Sequence, residues 1–274
     1  TDMGPSALRI AGLGDALRGL GWEVEKERDI PVPAMETRES TEDKLRFREE
    51  ILDVCRELAT SVQACLEGGS IPLVLGGDHS IAMGTVAGLV SHHRARQEKL
   101  GLIWFDAHGD MNIPESSPSG NIHGMPLAHI LGKGDPEFAG LAGDAPMILP
   151  ENVALVGIRE IDGGEKKVIS ESGVHTFTMR DIDERGMGAV AKEILEVVNR
   201  DTAGFHLSFD VDGLDPEAAS GVGTPVPGGV SFREAHLLLE NCADSGRMTS
   251  MEVVELNPIL DIGNASGETV KHLV

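Results

Sequence analysis

Six side chains able to bind a divalent cation stand at the ends of three separate apolar runs: His79 in LVLGGDH, then Asp106, His108 and Asp110 in GLIWFDAHGD, then Asp210 and Asp212 in FHLSFDVD. Each run is short, rich in β-branched or aromatic residues and bounded by turn residues, which predicts a buried parallel strand with chemistry at its last residue. Ligands in open α/β sheets bind beyond the carboxyl ends of the strands. In the second and third runs the ligands recur at every second residue, and the strand period puts such residues on one side of the chain, roughly 6 to 7 Å apart per step. Four carboxylates and two imidazoles are thereby directed into one small volume. Carboxylates so close raise each other's pKa unless cations sit among them. Two divalent ions supply the missing charge. Oxygen-rich ligands with imidazole and no thiolate suit manganese first and magnesium next, with zinc, iron and cobalt as competitors. Taken singly, a strand-end Asp is as well explained as a turn cap and a His as a satisfied core residue; six together at strand ends are not.

Positioning six ligands in this way requires parallel strands joined by helical crossovers, and the chain supplies that alternation. Strands are predicted near 71–75, 101–106, 152–157, 174–178, 204–210 and 248–254, with helices over 42–67, about 80–91, 163–171, 188–200 and 231–243. No linker marks a domain boundary. Residues 1–274 therefore read as a single α/β domain, a three-layer α/β/α arrangement around a mostly parallel central sheet. The longest aperiodic stretch near the ligands, 107–122, is long enough to be functional in a compact domain. Its SSPSGN segment offers hydroxyl, amide and backbone donors without a positive charge, which suits a carboxylate, and it leads to His123.

Composition narrows the class of function. The net charge of −22, from 45 acidic and 23 basic residues, repels nucleic acid and anionic lipid surfaces and steers cations toward an acidic mouth, although surplus acid also serves solubility. Aromatics make up 3% and Tyr is absent, so platforms for stacking bases are few. There is no apolar run of about 18 residues and no signal-peptide pattern, so neither a membrane span nor export is indicated and the cytoplasm is the expected location. Cys55, Cys65 and Cys242 are odd in number and form no CxxC pair, which argues for small buried hydrophobes rather than a disulfide framework or thiolate metal site.

Several blocks resemble the ureohydrolases, the arginase/agmatinase family, and bacterial arginases in particular. They are GGDHS at 76–80, DAHGDMN at 106–112, SGNIHGMPLA at 119–128 and SFDVDGLDP at 208–216, joined by DMGPSALRIAGL at 2–13, GTPVPGGVSFREA at 223–235 and VELNP at 254–258. The likeness covers nearly the whole chain in the family's order. It implies an arginase/deacetylase-like fold and two manganese ions, with Asp106 and Asp210 bridging them, His79 and Asp110 completing one site and His108 and Asp212 the other. It also implies a first strand ahead of the DMGPSA block, which is lacking before Thr1, and a final helix fuller than GETVKHLV provides.

The resemblance also distributes the remaining roles. Asn112 and Ser119 would hold the substrate's carboxylate end, with Ser117 a weaker choice because the family varies there. Asp162 and Glu165, three apart in REIDGGE at a predicted helix start, would receive an α-ammonium group, although acids in a first turn also favour the helix dipole. Glu255 would orient a guanidinium, and Thr224 in the GTP turn offers a further polar contact. The implied reaction is hydrolysis of L-arginine to L-ornithine and urea: two ions sharing one water lower its pKa, a hydroxide attacks the guanidinium carbon, and the leaving amine takes a proton. His123 is the candidate shuttle for that proton. His123, Asp110 and Glu255 thus form the expected catalytic group, and bacterial arginases imply a homotrimer or homohexamer. Acceptors for an ammonium and donors for a carboxylate select an α-amino acid over its decarboxylated amine. A sister enzyme for agmatine or guanidinobutyrate would keep the ligands and change the carboxylate-end loop. A related deacetylase would hold one zinc with fewer carboxylates, and a non-catalytic metal-binding scaffold would have lost a ligand or the shuttle. The other histidines carry no assigned function.

Overall fold

The computed structural model describes residues 1–25, 28–40 and 43–274, and within them helices and strands alternate. Two short helices, α1 (Gly4–Ala11) and α2 (Leu13–Gly19), precede α3 (Arg48–Glu67), β1 (Leu73–Leu75), α4 (Ala82–Arg94) and β2 (Gly101–Phe105). A long loop leads to α5 (Pro126–Ile130), α6 (Pro136–Ala139), β3 (Val153–Ile158), α7 (Gly163–Ser172) and β4 (His175–Thr178). The chain finishes with α8 (Met179–Arg185), α9 (Met187–Val198), β5 (Phe205–Asp210), α10 (Phe232–Asp244), β6 (Met248–Val254) and α11 (Ala265–Leu273). All six predicted strands are present within two residues of their expected bounds. The long helix expected over 42–67 is regular from Arg48, and residue 42 lies outside the described residues. Periodicity passed over α1, α2, α5, α6 and α8, each eight residues or fewer, because an amphipathic repeat needs more turns than that to declare itself.

Every pairing in the sheet is parallel, and the strand order is β1-β6-β5-β2-β3-β4. A parallel sheet is covered on both faces, so its strands read as continuous apolar runs. In β2 all five residues are buried, yet they serve two cores in alternation: Ile103 and Phe105 pack with α9 and α10, Leu102 and Trp104 with α3 and α4. The seam between α3 and α4 is unusually close. Leu52, Cys55, Leu58 and Val62 form the buried stripe of α3, and a Cβ on Gly84 or Gly88 of α4 would stand 2.7 Å from the Cys55 carbonyl or 2.5 Å from that of Ala59. Only glycine fits there. Helix starts follow local chemistry: Ser231 and Glu234 make a reciprocal capping box on α10, and Thr178 with Asp181 makes another on α8.

Strand order explains where the site must be. From β2 the chain adds β3 and β4 on one side, whereas β5 and β6 fill the other. The switch point lies between β2 and β5, where a crevice opens beyond the strand ends. No helix among the described residues is long and apolar enough to cross a membrane.

Candidate metal centre and substrate cavity

Register brings the predicted ligands together. Phe105 of β2 pairs with Phe209 of β5, their rings stacked with centroids 4.5 Å apart, so the next residues, Asp106 and Asp210, stand side by side above this apolar layer. His79 arrives from the short turn after β1, where Asp78 caps the turn by accepting from the Ser80 N–H at 2.9 Å. Its Nδ1 lies 3.2 Å from Asp106 Oδ2, 3.2 Å from Asp110 Oδ2 and 3.0 Å from Asp210 Oδ2. His108 Nδ1 lies 3.3 Å from Asp106 Oδ1 and 3.2 Å from Asp212 Oδ2. Two groups able to hold a cation result, His79–Asp106–Asp210 and Asp106–His108–Asp212, sharing Asp106. Asp110 joins the first through its contact with His79.

The donor chemistry fits a pair of divalent cations. His79 Nδ1 is buried without a hydrogen-bond partner while facing three carboxylates. Burial pushes the carboxyl of Asp110 up to about 7, reinforced by the charge of Asp106. Burial and the charges of Asp212 and Asp106 push Asp210 well above the carboxylate range. For Asp106, burial acts upward but the neighbouring imidazoles of His108 and His79 outweigh it and hold it low. Burial opposes a charged His79, yet the carboxylates of Asp106, Asp110 and Asp210 facing its Nδ1 lift it well above the ordinary imidazole value. Such mutual perturbation is what acids and imidazoles show when the charge they are built to share is a cation's.

Neighbouring groups lock the ligands. Trp104 stacks on the His79 ring at 4.0 Å and donates from Nε1 to Asp106 Oδ2 at 2.9 Å. The His108 N–H donates to Asp106 Oδ1 at 2.6 Å, the Asp212 N–H to Asp210 Oδ1 at 2.7 Å, and Thr224 Oγ1 to Asp212 Oδ2 at 2.8 Å. Two site residues hold left-handed backbone without being glycine, Asp110 at φ 51° and Glu255 at φ 66°, a conformation that costs on the order of 1–3 kcal/mol and gathers at functional sites. Glu255 is fixed from both sides. Its N–H donates to the Gly77 carbonyl at 2.8 Å, and its Oε1 accepts from the His79 N–H at 2.8 Å. Burial raises its carboxyl to about 8, with Asp78 adding to the shift.

Above this floor lies a cavity of about 190 Å³ lined by His108, Asp110, Asn112, His123, Gly124, Glu160, Asp162, Glu165, Asp210, Asp212, Thr224 and Glu255. Seven of these twelve residues are acidic, which favours a small cationic ligand. Asp162 caps α7, accepting from the N–H groups of Gly164 and Glu165 at 2.9 Å each through Oδ1, while Oδ2 accepts from Asn112 Nδ2 at 2.9 Å. Burial works against its charge, but those hydrogen bonds, that of Glu165 first, keep its carboxyl below the usual range. Glu165 is the opposite case: burial raises it to about 7, while its Oε1 accepts from the Met111 N–H at 2.9 Å. His123 sits exposed on a short turn over Ile122–Gly124.

The two loop serines are placed differently from the other expected residues. Ser117 is buried, and its Oγ accepts from the Gly120 N–H at 3.0 Å; Ser119 is exposed, and its Oγ accepts from the Asn121 N–H at 3.2 Å. Neither lines the cavity, whereas Ser116 donates to Asn112 Oδ1 at 2.8 Å and so orients that amide. Sequence reasoning also passed over Glu160, which lines the cavity within the same REIDGGE block, and Arg159. The Arg159 guanidinium donates to the carbonyls of Gly157, Asp212, Gly213, Leu214 and Val226 at 2.7 to 3.2 Å. It thereby ties the turn bearing Asp212 to the loop that follows Thr224.

Comparison with known proteins is unambiguous about kinship. The sequence profile of the Arginase family matches residues 1–274. The arginase of Bacillus subtilis (strain 168) is 49% identical over 273 residues, covering 100% of this chain and 90% of that protein. The native structure of Bacillus caldovelox arginase superimposes with a TM-score of 0.95 at 47% identity, over 100% of this chain and 90% of that one. The Entamoeba histolytica arginase structure, in complex with L-ornithine, follows at a TM-score of 0.89 and 34% identity, over 98% and 90%.

Proposed function

Because the chain belongs to the arginase family, a family of metal-dependent ureohydrolases, we propose that it hydrolyses the guanidinium group of L-arginine to L-ornithine and urea at a binuclear manganese centre. One observation carries this reading: two cation-binding groups sharing Asp106 form the floor of a cavity whose wall is acidic. His79, Asp110 and Asp210 with Asp106 would hold one ion, and His108, Asp212 and the two shared aspartates the other. Manganese bound there would supply Lewis-acid activation of a water molecule and stabilise charge developing on the guanidinium.

The chain's own residues do the rest. Glu255 faces the planar guanidinium, whose positive charge draws the raised carboxyl back to its carboxylate form and whose N–H fork matches it; its Oε1 is already engaged by the His79 N–H, leaving Oε2 for the substrate. At the far end of the cavity Asp162 and Glu165 accept the α-ammonium, and the amide of Asn112, held by Ser116 and Asp162, faces the α-carboxylate. His123, on its exposed turn at the cavity wall, passes a proton to the side-chain nitrogen that leaves with ornithine. Support for an amino-acid substrate also comes from the L-ornithine complex of the Entamoeba relative. Assembly as a homotrimer or homohexamer belongs to the same reading and is checked by light scattering.

The test is urea release from arginine, agmatine and guanidinobutyrate with added manganese. Arginine is expected to lead by a factor on the order of 10² or more in kcat/KM, since each analogue leaves a buried polar partner unpaired. Preference for agmatine would reassign the chain to a sister ureohydrolase. Background release from all three would leave a metal-binding scaffold.

A further inference from the structure

Beneath the metal floor a column of polar side chains runs down one face of an otherwise apolar sheet. Register places Trp104, Ser208 and Glu252 side by side on β2, β5 and β6, and Leu102, His206 and Ser250 one layer lower. Ser208, Glu252, His206 and Ser250 are all fully buried. A carboxylate in such a place is costly unless its hydrogen bonds compensate, so Glu252 requires an explanation that packing does not give.

Its partners point upward to the site. Ser208 Oγ donates to Glu252 Oε1 at 2.6 Å and lies 2.7 Å from His79 Nε2. His206 Nε2 stands 3.4 Å from the same Oε1 without the alignment of a hydrogen bond, and its Nδ1 meets Ser250 Oγ at 2.9 Å. A hydroxyl has one proton, and a carboxylate only accepts. With Ser208 donating to Glu252, its lone pair accepts from His79, which places the imidazole proton on Nε2. The Nδ1 lone pair is then presented to the gap among Asp106, Asp110 and Asp210, where it has no partner within the protein. Stacking on Trp104 holds the ring plane; it cannot choose the tautomer. The hydrogen-bond chain does.

We propose that Glu252, acting through Ser208, is a positioning residue that fixes the metal-binding tautomer of His79. Outer partners of this kind orient a histidine ligand and raise its basicity. The inference rests on the binuclear reading above and goes beyond it by assigning a residue outside the site to one ion of the pair.

The experiment titrates Mn²⁺ into the metal-stripped full chain and reads free Mn²⁺ by electron paramagnetic resonance, for the wild type, Glu252→Gln, Ser208→Ala and the double variant. Melting of each metal-free protein is followed in parallel. Expected is a loss of about 10- to 100-fold in affinity at one of two sites in each single variant, the other site unchanged, and no further loss in the double variant, because both act through one chain. The proposal is overturned if both sites keep wild-type affinity in Glu252→Gln. It is overturned equally if both sites weaken together with a drop in melting temperature, or if the two losses add, since these are the marks of a merely structural role. Should Glu252→Gln not fold, unchanged affinities in Ser208→Ala overturn it alone. A wild type that binds no Mn²⁺ pair would instead sink the binuclear reading.

Discussion

The floor and the rim of the cavity are built by different rules. The floor takes its residues from strand ends and the turns directly following them, where sheet register dictates the distance between Asp106 and Asp210 and where all but His108 are buried. The rim takes Asn112, His123, Asp162 and Glu165 from a loop, a short turn and the first residues of a helix. Floor residues are held by the sheet and by the turns that leave its strands. Rim residues are held by each other, as in the Ser116–Asn112–Asp162 chain capping α7. The floor is therefore suited to chemistry common to a family, and the rim to choosing among its substrates.

That contrast orders the effects of substitution. Asp210→Ala cuts into the floor, where a lost ligand leaves the remaining acids repelling one another. Urea release is expected to fall on the order of 10³-fold or more, from several kcal/mol of lost metal-ion catalysis. Mn²⁺ should also lose most of its power to raise the melting temperature, a power that grows with occupancy. Full activity in this variant would show that the floor does not carry the reaction. His123→Asn touches the rim at the point where proton transfer is assigned to it, and a fall of about 10² to 10⁴ in kcat with little change in KM is expected. An unchanged kcat would move that role elsewhere.

Glu165 sharpens the contrast through pH. Its folded value of about 7 lies above the ordinary 4.5, so the carboxyl gains charge, and its attraction for an ammonium, as pH rises through about 7. KM for arginine should fall between pH 6 and 8. For stability the sign is reversed: the raised value means the folded state binds the proton more tightly, so this stabilising contribution is present below about 4.5 and lost as pH rises through 7. Glu165→Gln is expected to raise KM about 10-fold, from the 1.5–3 kcal/mol of a charged hydrogen bond partly offset by solvent, and to flatten the KM–pH profile. A profile that keeps its slope would assign the titration to another group. The smallest effect belongs to Ser119→Ala. Its hydroxyl is exposed and turned to the Asn121 N–H, away from the cavity lining, so KM should stay within about twofold, as for surface substitutions generally. A tenfold rise would show that the loop closes over substrate.

What could be read in the sequence divides along the same line. The strand period predicts Asp106, His108 and Asp110 on one side of a chain and Asp210 and Asp212 on one side of another. But β2 ends at Phe105 and β5 at Asp210, so these residues converge through the turns that follow the strands, with Asp110 in left-handed backbone at φ 51°. Which strands are neighbours is not local, and only the register of β5 against β2 and β6 places Ser208 between His79 and Glu252. The signal for Glu252 was nonetheless present, as an acid inside the otherwise apolar run MEVV. Ser117 and Ser119 enter through the family resemblance, on a loop whose neutral donors suit a carboxylate. Loop geometry depends on turns such as the one closed by Gly120 N–H on Ser117, which composition does not specify. Glu160 and Arg159 lay within a recognised block, but only tertiary contacts reveal that one faces the cavity and the other clamps backbone beneath it.

The reading proposed for the floor is a pair of metal ions coupled to guanidinium hydrolysis. It is tested most directly by adding Mn²⁺ stepwise to the metal-stripped protein while measuring bound Mn²⁺ and urea release from arginine in the same sample. Activity is expected to rise with metal content and to level off at two bound ions per chain. Full activity at one ion, or two bound ions with urea release at background, would contradict it.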